Sequence, residues 1–145
     1  MRNKLLFLVF FIFSYCIFSQ QIVTWQDLAK VTFTDKYFVA YDDTFMYPTF
    51  LAPVKALEGK TITVKGYFLN IAPEQKIYIL SKGPMSSCFF CGQGGPETAI
   101  ELHFIEKPNF KTDDIIAVTG VLKLNQDDVE HFNYILTDCK AILVE

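Results

Sequence analysis

Thr61-Ile62-Thr63-Val64-Lys65-Gly66-Tyr67-Phe68-Leu69-Asn70-Ile71 is the stretch that decides the fold. Ile62, Val64, Gly66 and Phe68 recur at every second position, the period of a strand with one face turned inward. Four further segments follow with the same character. Lys76 to Ser81 sets Ile77 and Ile79 against Tyr78 and Leu80. Glu97 to Phe104 alternates Thr98, Ile100, Leu102 and Phe104 with Glu97, Ala99, Glu101 and His103. Asp114 to Leu124 puts Ile116, Val118, Gly120 and Leu122 on one face, and Phe132 to Val144 closes the series. Pro73-Glu74-Gln75, Pro108 and the polar run Asn125 to Glu130 supply breaks between them. Five short alternating strands predict an all-β chain: a five-stranded OB-like Greek-key barrel over residues 60–145. Gly66 and Gly120 fall mid-strand, where a glycine marks the bend of a small closed barrel. Residues 105–113 leave little room for the helix that such barrels commonly carry between their third and fourth strands.

Upstream, residues 20–59 read as an N-terminal extension packing on the barrel. Thr24 caps a short helical opening with Asp27 in its first turn. Val31 to Tyr41 is rich in β-formers and reads as a strand. Asp42-Asp43-Thr44 reads as a turn, and Tyr47-Pro48-Thr49-Phe50 as extended, because the residue before proline avoids the helical region. Pro53 to Glu58 offers one helical turn stopped by Gly59. Trp25, Tyr37, Tyr41, Tyr47, Phe50, Tyr67, Tyr78, Phe89 and Phe90 exceed what a small barrel needs inside. Packing of this extension on the barrel accounts for most of them, while Phe89 and Phe90, between Cys88 and Cys91, read as residues that cap a pocket or contact a partner.

Residues 1–19 have a different composition. Arg2 and Lys4 precede an unbroken apolar run, Leu5 to Phe13, and Ser19 supplies a small residue beside Gln20. That is the pattern of a secretory signal peptide, with an apolar core shorter than the roughly 20 residues of a membrane-spanning helix. An uncleaved anchor is the alternative. Lipid attachment at Cys16 is a third reading, disfavoured by the bulky Tyr15. Removing the leader takes Arg2 and Lys4 and moves the formal charge from −3 to −5. The protein is therefore expected in the periplasm or secreted, where disulfides persist. Its acidity removes the phosphate attraction a general nucleic-acid binder needs.

The chemistry of the sequence sits in Met85-Ser86-Ser87-Cys88-Phe89-Phe90-Cys91-Gly92-Gln93-Gly94-Gly95-Pro96. Two cysteines two residues apart can turn both sulfurs toward one ion, and zinc or copper are the metals that thiolates select. In a barrel whose third and fifth strands run parallel, the loop before strand three and His131 before strand five share an end. The expected metal ligands are accordingly Cys88, Cys91 and His131. His103 and Cys139 are expected toward the other end. His103 reads as solvated beside Glu101, and Cys139 as a small buried apolar residue sharing a face with Ile135, Thr137 and Ala141. A Cys88–Cys91 disulfide, or a loop merely braced by the pair, is the alternative. Thiol–disulfide exchange ranks third, because Gly92 to Pro96 cannot start the helix that stabilises a reactive thiolate. Asp127-Asp128-Val129-Glu130-His131 lacks the spacing and glycine of a calcium loop and reads as a solvated turn. There is no phosphate loop, GxSxG or HExxH.

Trp25 and Leu28, Pro48 and Phe50, Leu57-Glu58-Gly59-Lys60-Thr61-Ile62-Thr63-Val64-Lys65-Gly66-Tyr67 and Ser87-Cys88-Phe89-Phe90-Cys91-Gly92, in that order, resemble a family of small exported bacterial proteins of unknown function. The family pattern is a strand of the form LxGKxVxxxGY followed by a cysteine-containing loop. The resemblance implies export and an OB-like barrel, and some members are associated with metal transport. It brings no catalytic residues. The expected function is a non-enzymatic module that binds a transition metal or a protein partner in the cell envelope, with a structural or interaction protein as the alternative.

Overall fold

The computed structural model describes residues 20–87, 92 and 94–144. In chain order the elements are strand β1 (Gln21–Ile22), one-turn helix α1 (Trp25–Leu28), strands β2 (Val31–Phe38) and β3 (Asp43–Phe50), one-turn helix α2 (Ala52–Lys55), and strands β4 (Thr61–Ala72), β5 (Ile77–Ser81), β6 (Ala99–Phe104), β7 (Ile115–Leu124) and β8 (Tyr134–Leu143). Short 3-10 turns stand at Pro73–Gln75, Met85–Ser87 and Pro96–Thr98. The segment read above as a signal peptide, residues 1–19, lies outside the described residues. No described helix is long and apolar enough to cross a membrane.

Strands β4 to β8 form the barrel. Their order is β4-β5-β6-β8-β7, and β4 pairs again with β7 to close it. All pairings within the ring are antiparallel except β6 with β8, which run parallel. This is the OB-like Greek-key barrel that the alternation predicts. β4 serves two neighbours because it is long: Thr61–Tyr67 pair with β7, and Tyr67–Ala72 with β5. The hand-over occurs beside Gly66. A Cβ there would lie 2.6 Å from the Ser81 carbonyl oxygen and 3.0 Å from Trp25, so only glycine lets the backbones approach. Gly120 does the same on β7, where a Cβ would meet the Thr137 oxygen at 2.7 Å.

The interior is one apolar cluster. Ile62, Val64 and Phe68 of β4, Ile100 and Leu102 of β6, Ile116, Val118 and Leu122 of β7, and Leu136 of β8 are all at most 1% exposed. Leu28, Phe50, Val54 and Leu57, from the segment before β4, join the same cluster. Two side-chain hydrogen bonds, the first of them buried, fasten that segment. The Tyr134 hydroxyl donates to the Leu28 carbonyl at 2.6 Å, and the Trp25 indole donates to the Lys65 carbonyl at 2.9 Å. Thr24 and Asp27 form a reciprocal capping box on α1.

Two local readings need correction. The turn expected at Asp42-Asp43-Thr44 stands earlier, at residues 39–42, and the stretch expected to be extended at Tyr47 to Phe50 is part of a longer strand. Residues 43–50 form β3, which pairs antiparallel with β2 along eight positions, from Val31↔Phe50 to Phe38↔Asp43. The connection is Val39–Asp42, with Asp42 at φ 52°. Pro48 is tolerated because this two-stranded ribbon leaves an edge that needs no donor. The second correction concerns Cys139. It is buried, 2% exposed, as expected, and Ala141 packs against the same cluster as expected, but its other companions there are Tyr134 and Leu136 rather than Ile135 and Thr137. Asp138 adopts φ 53°, and the β7–β8 register shifts between Thr119 and Val121. The extra residue flips the alternation, so Cys139 follows Leu136 inward.

Candidate metal centre

Strand β6 is six residues long and buried on both faces. One face, with Ile100 and Leu102, belongs to the barrel interior. The other carries Ala99, which packs with Leu69 and Ile79 in a second apolar cluster completed by Met85 and Phe132. Glu101 is two residues along on that second face. Its neighbours across the ladder are Ile79 of β5 and Ile135 of β8, and its side chain is only 11% exposed. A carboxylate in such a place is costly unless its oxygens are satisfied.

They are satisfied by two histidines and a backbone amide. His103, next on the same face, brings Nε2 to 2.7 Å from Glu101 Oε1. His131 brings Nδ1 to 2.8 Å from the same oxygen. The Phe132 amide donates to Oε2 at 3.0 Å. His131 reaches this position because Asn125 shapes the β7–β8 connection. Its side-chain amide donates to the carbonyls of Asp128, His131 and Phe132, and its oxygen accepts from the Asp128 amide. Phe132 then anchors in the cluster of Leu69, Ile79 and Ala99.

The electrostatics follow from this arrangement. Burial alone raises the carboxyl pKa of Glu101. The hydrogen bonds from His103, Phe132 and His131 outweigh it and hold the group below the ordinary glutamate value. His131 is shifted upward, first by its hydrogen bond to Glu101 and then by that carboxylate's charge, with Asp128 and Glu130 adding to it.

The donor atoms of Glu101, His103 and His131 all lie within 4.8 Å of one another. An ion at 2.0–2.2 Å from each needs tetrahedral donors about 3.4 Å apart. The cluster therefore approaches ligand geometry with small side-chain rotations. The sequence reading set His131 and His103 toward opposite ends of the barrel; the structure brings them together on Glu101. β6 is so short that its last turn outward is only two residues past Glu101, and the connection entering β8 folds back across both. Glu101 is buried rather than solvated. Cys139 sits opposite Phe104 inside the barrel, away from the cluster, and burial pushes its thiol up to about 12. Cys88 and Cys91, with Phe89 and Phe90 between them, lie outside the described residues. The signal that reveals the missed pair is Glu-x-His, two residues apart on one strand face, with a third donor in the loop leading into the parallel neighbour.

The histidines are about half exposed on their side chains, and they face a cleft of about 670 Å³ bounded by the β4–β5 turn and the segment after β6. His131 also borders a second cavity of about 420 Å³ between the β2–β3 ribbon and its own loop. Lys36 of β2 pairs with Asp127 there at 3.1 Å, and Gln126 donates to the Pro48 carbonyl at 2.8 Å, holding ribbon and loop together.

No family model matches the chain, and no curated protein matches it. Among solved structures it is similar to the crystal structure of a DUF3299 family protein from Pseudomonas aeruginosa PAO1. The TM-score is 0.56 at 13% identity, over 88% of this chain and 97% of that one. The likeness is one of fold, extending over the barrel and most of what precedes it.

Proposed function

We propose that the protein is a non-enzymatic metal-binding module of the cell envelope, exported by its N-terminal leader, that holds a divalent transition ion on Glu101, His103 and His131. The observation that carries this reading is the convergence of two imidazoles on one buried carboxylate oxygen, at 2.7 and 2.8 Å, on a rigid strand and a pinned loop. Two nitrogens and one oxygen suit zinc, copper(II), nickel or cobalt better than magnesium or calcium. To hold the ion, the ring nitrogen of each histidine facing Glu101 would present its lone pair; a neutral ring would shift its proton to its other nitrogen, and a protonated ring would release one proton to solvent. Cys88 and Cys91 would add a separate soft donor pair, suited to copper(I) or to a further zinc.

Calorimetric titration with zinc after chelator treatment is the test. One equivalent should bind. His103→Ala and His131→Ala should each weaken it by more than about a hundredfold, the upper range for loss of a mere supporting hydrogen bond. Cys88→Ser with Cys91→Ser should leave that equivalent in place. Zinc binding abolished by the serine pair and untouched by the alanines would move the site to the loop. No binding in any form would leave the cluster as a satisfied buried carboxylate.

A further inference from the structure

Glu101, His103 and His131 all line the same cleft. Glu101 lies on the barrel wall, and the two histidines stand at the rim, 47% and 46% exposed on their side chains. The cleft is about 670 Å³, a size that suits a small molecule. Sites of three protein ligands that leave a position open exchange that position with solvent or ligand, whereas structural sites close it. Two neutral imidazoles and one carboxylate leave a divalent ion with a net charge of +1, so the open position favours an anion.

The cleft's walls specify more. Charged side chains at its edge come in both signs, Glu74 and Lys76 on the β4–β5 turn and Glu106 and Lys107 after β6, so the ion itself decides the sign of the ligand. Between them the wall is apolar: Ile77, Tyr78, Phe104 and Ile105, the last 59% exposed. Resting on the metal reading above, we infer that the ion carries an exchangeable position directed into this cleft, and that the cleft takes a small carboxylate with an apolar body. The carboxylate would ligate the ion, and the body would lie along Ile77 and Ile105.

Cobalt(II) loaded into the chelator-treated protein reports this directly, because its visible absorption follows coordination number and ligand exchange. Azide, acetate and benzoate serve as probes. The expected result is a spectral change with all three, and benzoate binding about tenfold tighter than acetate through partial burial of its ring. Ile105→Glu, which sets a charge on the apolar wall, should remove the benzoate advantage. Cobalt bound with a spectrum that none of the three alters would overturn the inference by showing a closed site. Benzoate no tighter than acetate, or an advantage that survives Ile105→Glu, would overturn it by removing the cleft as the ligand's seat. Failure of cobalt to bind at all would instead refute the metal reading on which the inference rests.

Discussion

Replacing Glu101 by glutamine, in protein stripped of metal, tests the electrostatic logic of the cluster on its own. The carboxylate accepts three hydrogen bonds: His103 at 2.7 Å, His131 at 2.8 Å and the Phe132 amide at 3.0 Å. Glutamine's oxygen can still accept from the Phe132 amide, but its NH2 group can pair only with ring nitrogens that accept, so a protonated imidazole is left with a donor facing a donor. Leaving a buried donor unsatisfied costs about 1–3 kcal/mol. The two imidazoles are half exposed and recover part of their loss from water, so the lower-middle of that range applies. A cost of about 2 kcal/mol lowers Tm by roughly 6–10 °C in a domain of this length. The pH dependence is the sharper signature. Glu101 has a lowered folded value, so its stabilisation is present above its ordinary 4.5 and is lost as pH falls through the lowered value. His131 has a raised folded value, so its stabilisation is complete below its ordinary 6.5 and is lost as pH rises through the raised value. Both contributions coexist between pH 4.5 and 6.5. Thermal melts with chelator from pH 4 to 9 should show the gap between native protein and Glu101→Gln widest in that window and narrower on each side. A gap that does not vary with pH, or a variant as stable as the native protein at about pH 5.5, refutes the reasoning.

Three other outcomes follow from the barrel. Gly66→Ala should cost about 2–4 kcal/mol, because its Cβ would meet the Ser81 oxygen at 2.6 Å; urea unfolding gives the value, and a change under about 0.5 kcal/mol contradicts the packing described. Tyr134→Phe strands the Leu28 carbonyl and should cost about 1–3 kcal/mol without moving the zinc affinity; a loss of zinc binding would mean that the core and the metal centre are coupled. Cys139, 2% exposed with its thiol pushed up to about 12, should resist alkylation in folded protein and react fully in denaturant. Mass spectrometry of the labelled thiols shows which, and rapid labelling of the folded state would place Cys139 at the surface.

The barrel was legible because each of its strands carries a long enough alternation to fix which face turns inward. Ile62, Val64, Gly66 and Phe68, and likewise Ile116, Val118, Gly120 and Leu122, lie inside as their spacing requires. β3 was harder to read because Asp43 and Pro48 carry little β preference. Its existence depends on hairpin pairing with β2 across Val39–Asp42. The face of Cys139 depends on the positive φ of Asp138, which no alternation announces. Less of the candidate site was legible. The parallel run of β6 and β8 is as expected, but that reading set His131 and His103 toward opposite ends, whereas they meet on Glu101. Their partnership depends on how Asn125 folds a polar connection that reads as a plain solvated turn. Glu101 looks exposed by its type, yet the second apolar cluster of Leu69, Ile79 and Ala99 buries the face it occupies.

Anomalous diffraction at the zinc edge, from crystals grown with one equivalent of zinc, tests the central claim most directly. A single strong peak is expected, about 2.0–2.2 Å from a nitrogen of His103, a nitrogen of His131 and a carboxylate oxygen of Glu101. A peak elsewhere on the chain, or none with His103 and His131 still bonded to Glu101, would contradict it.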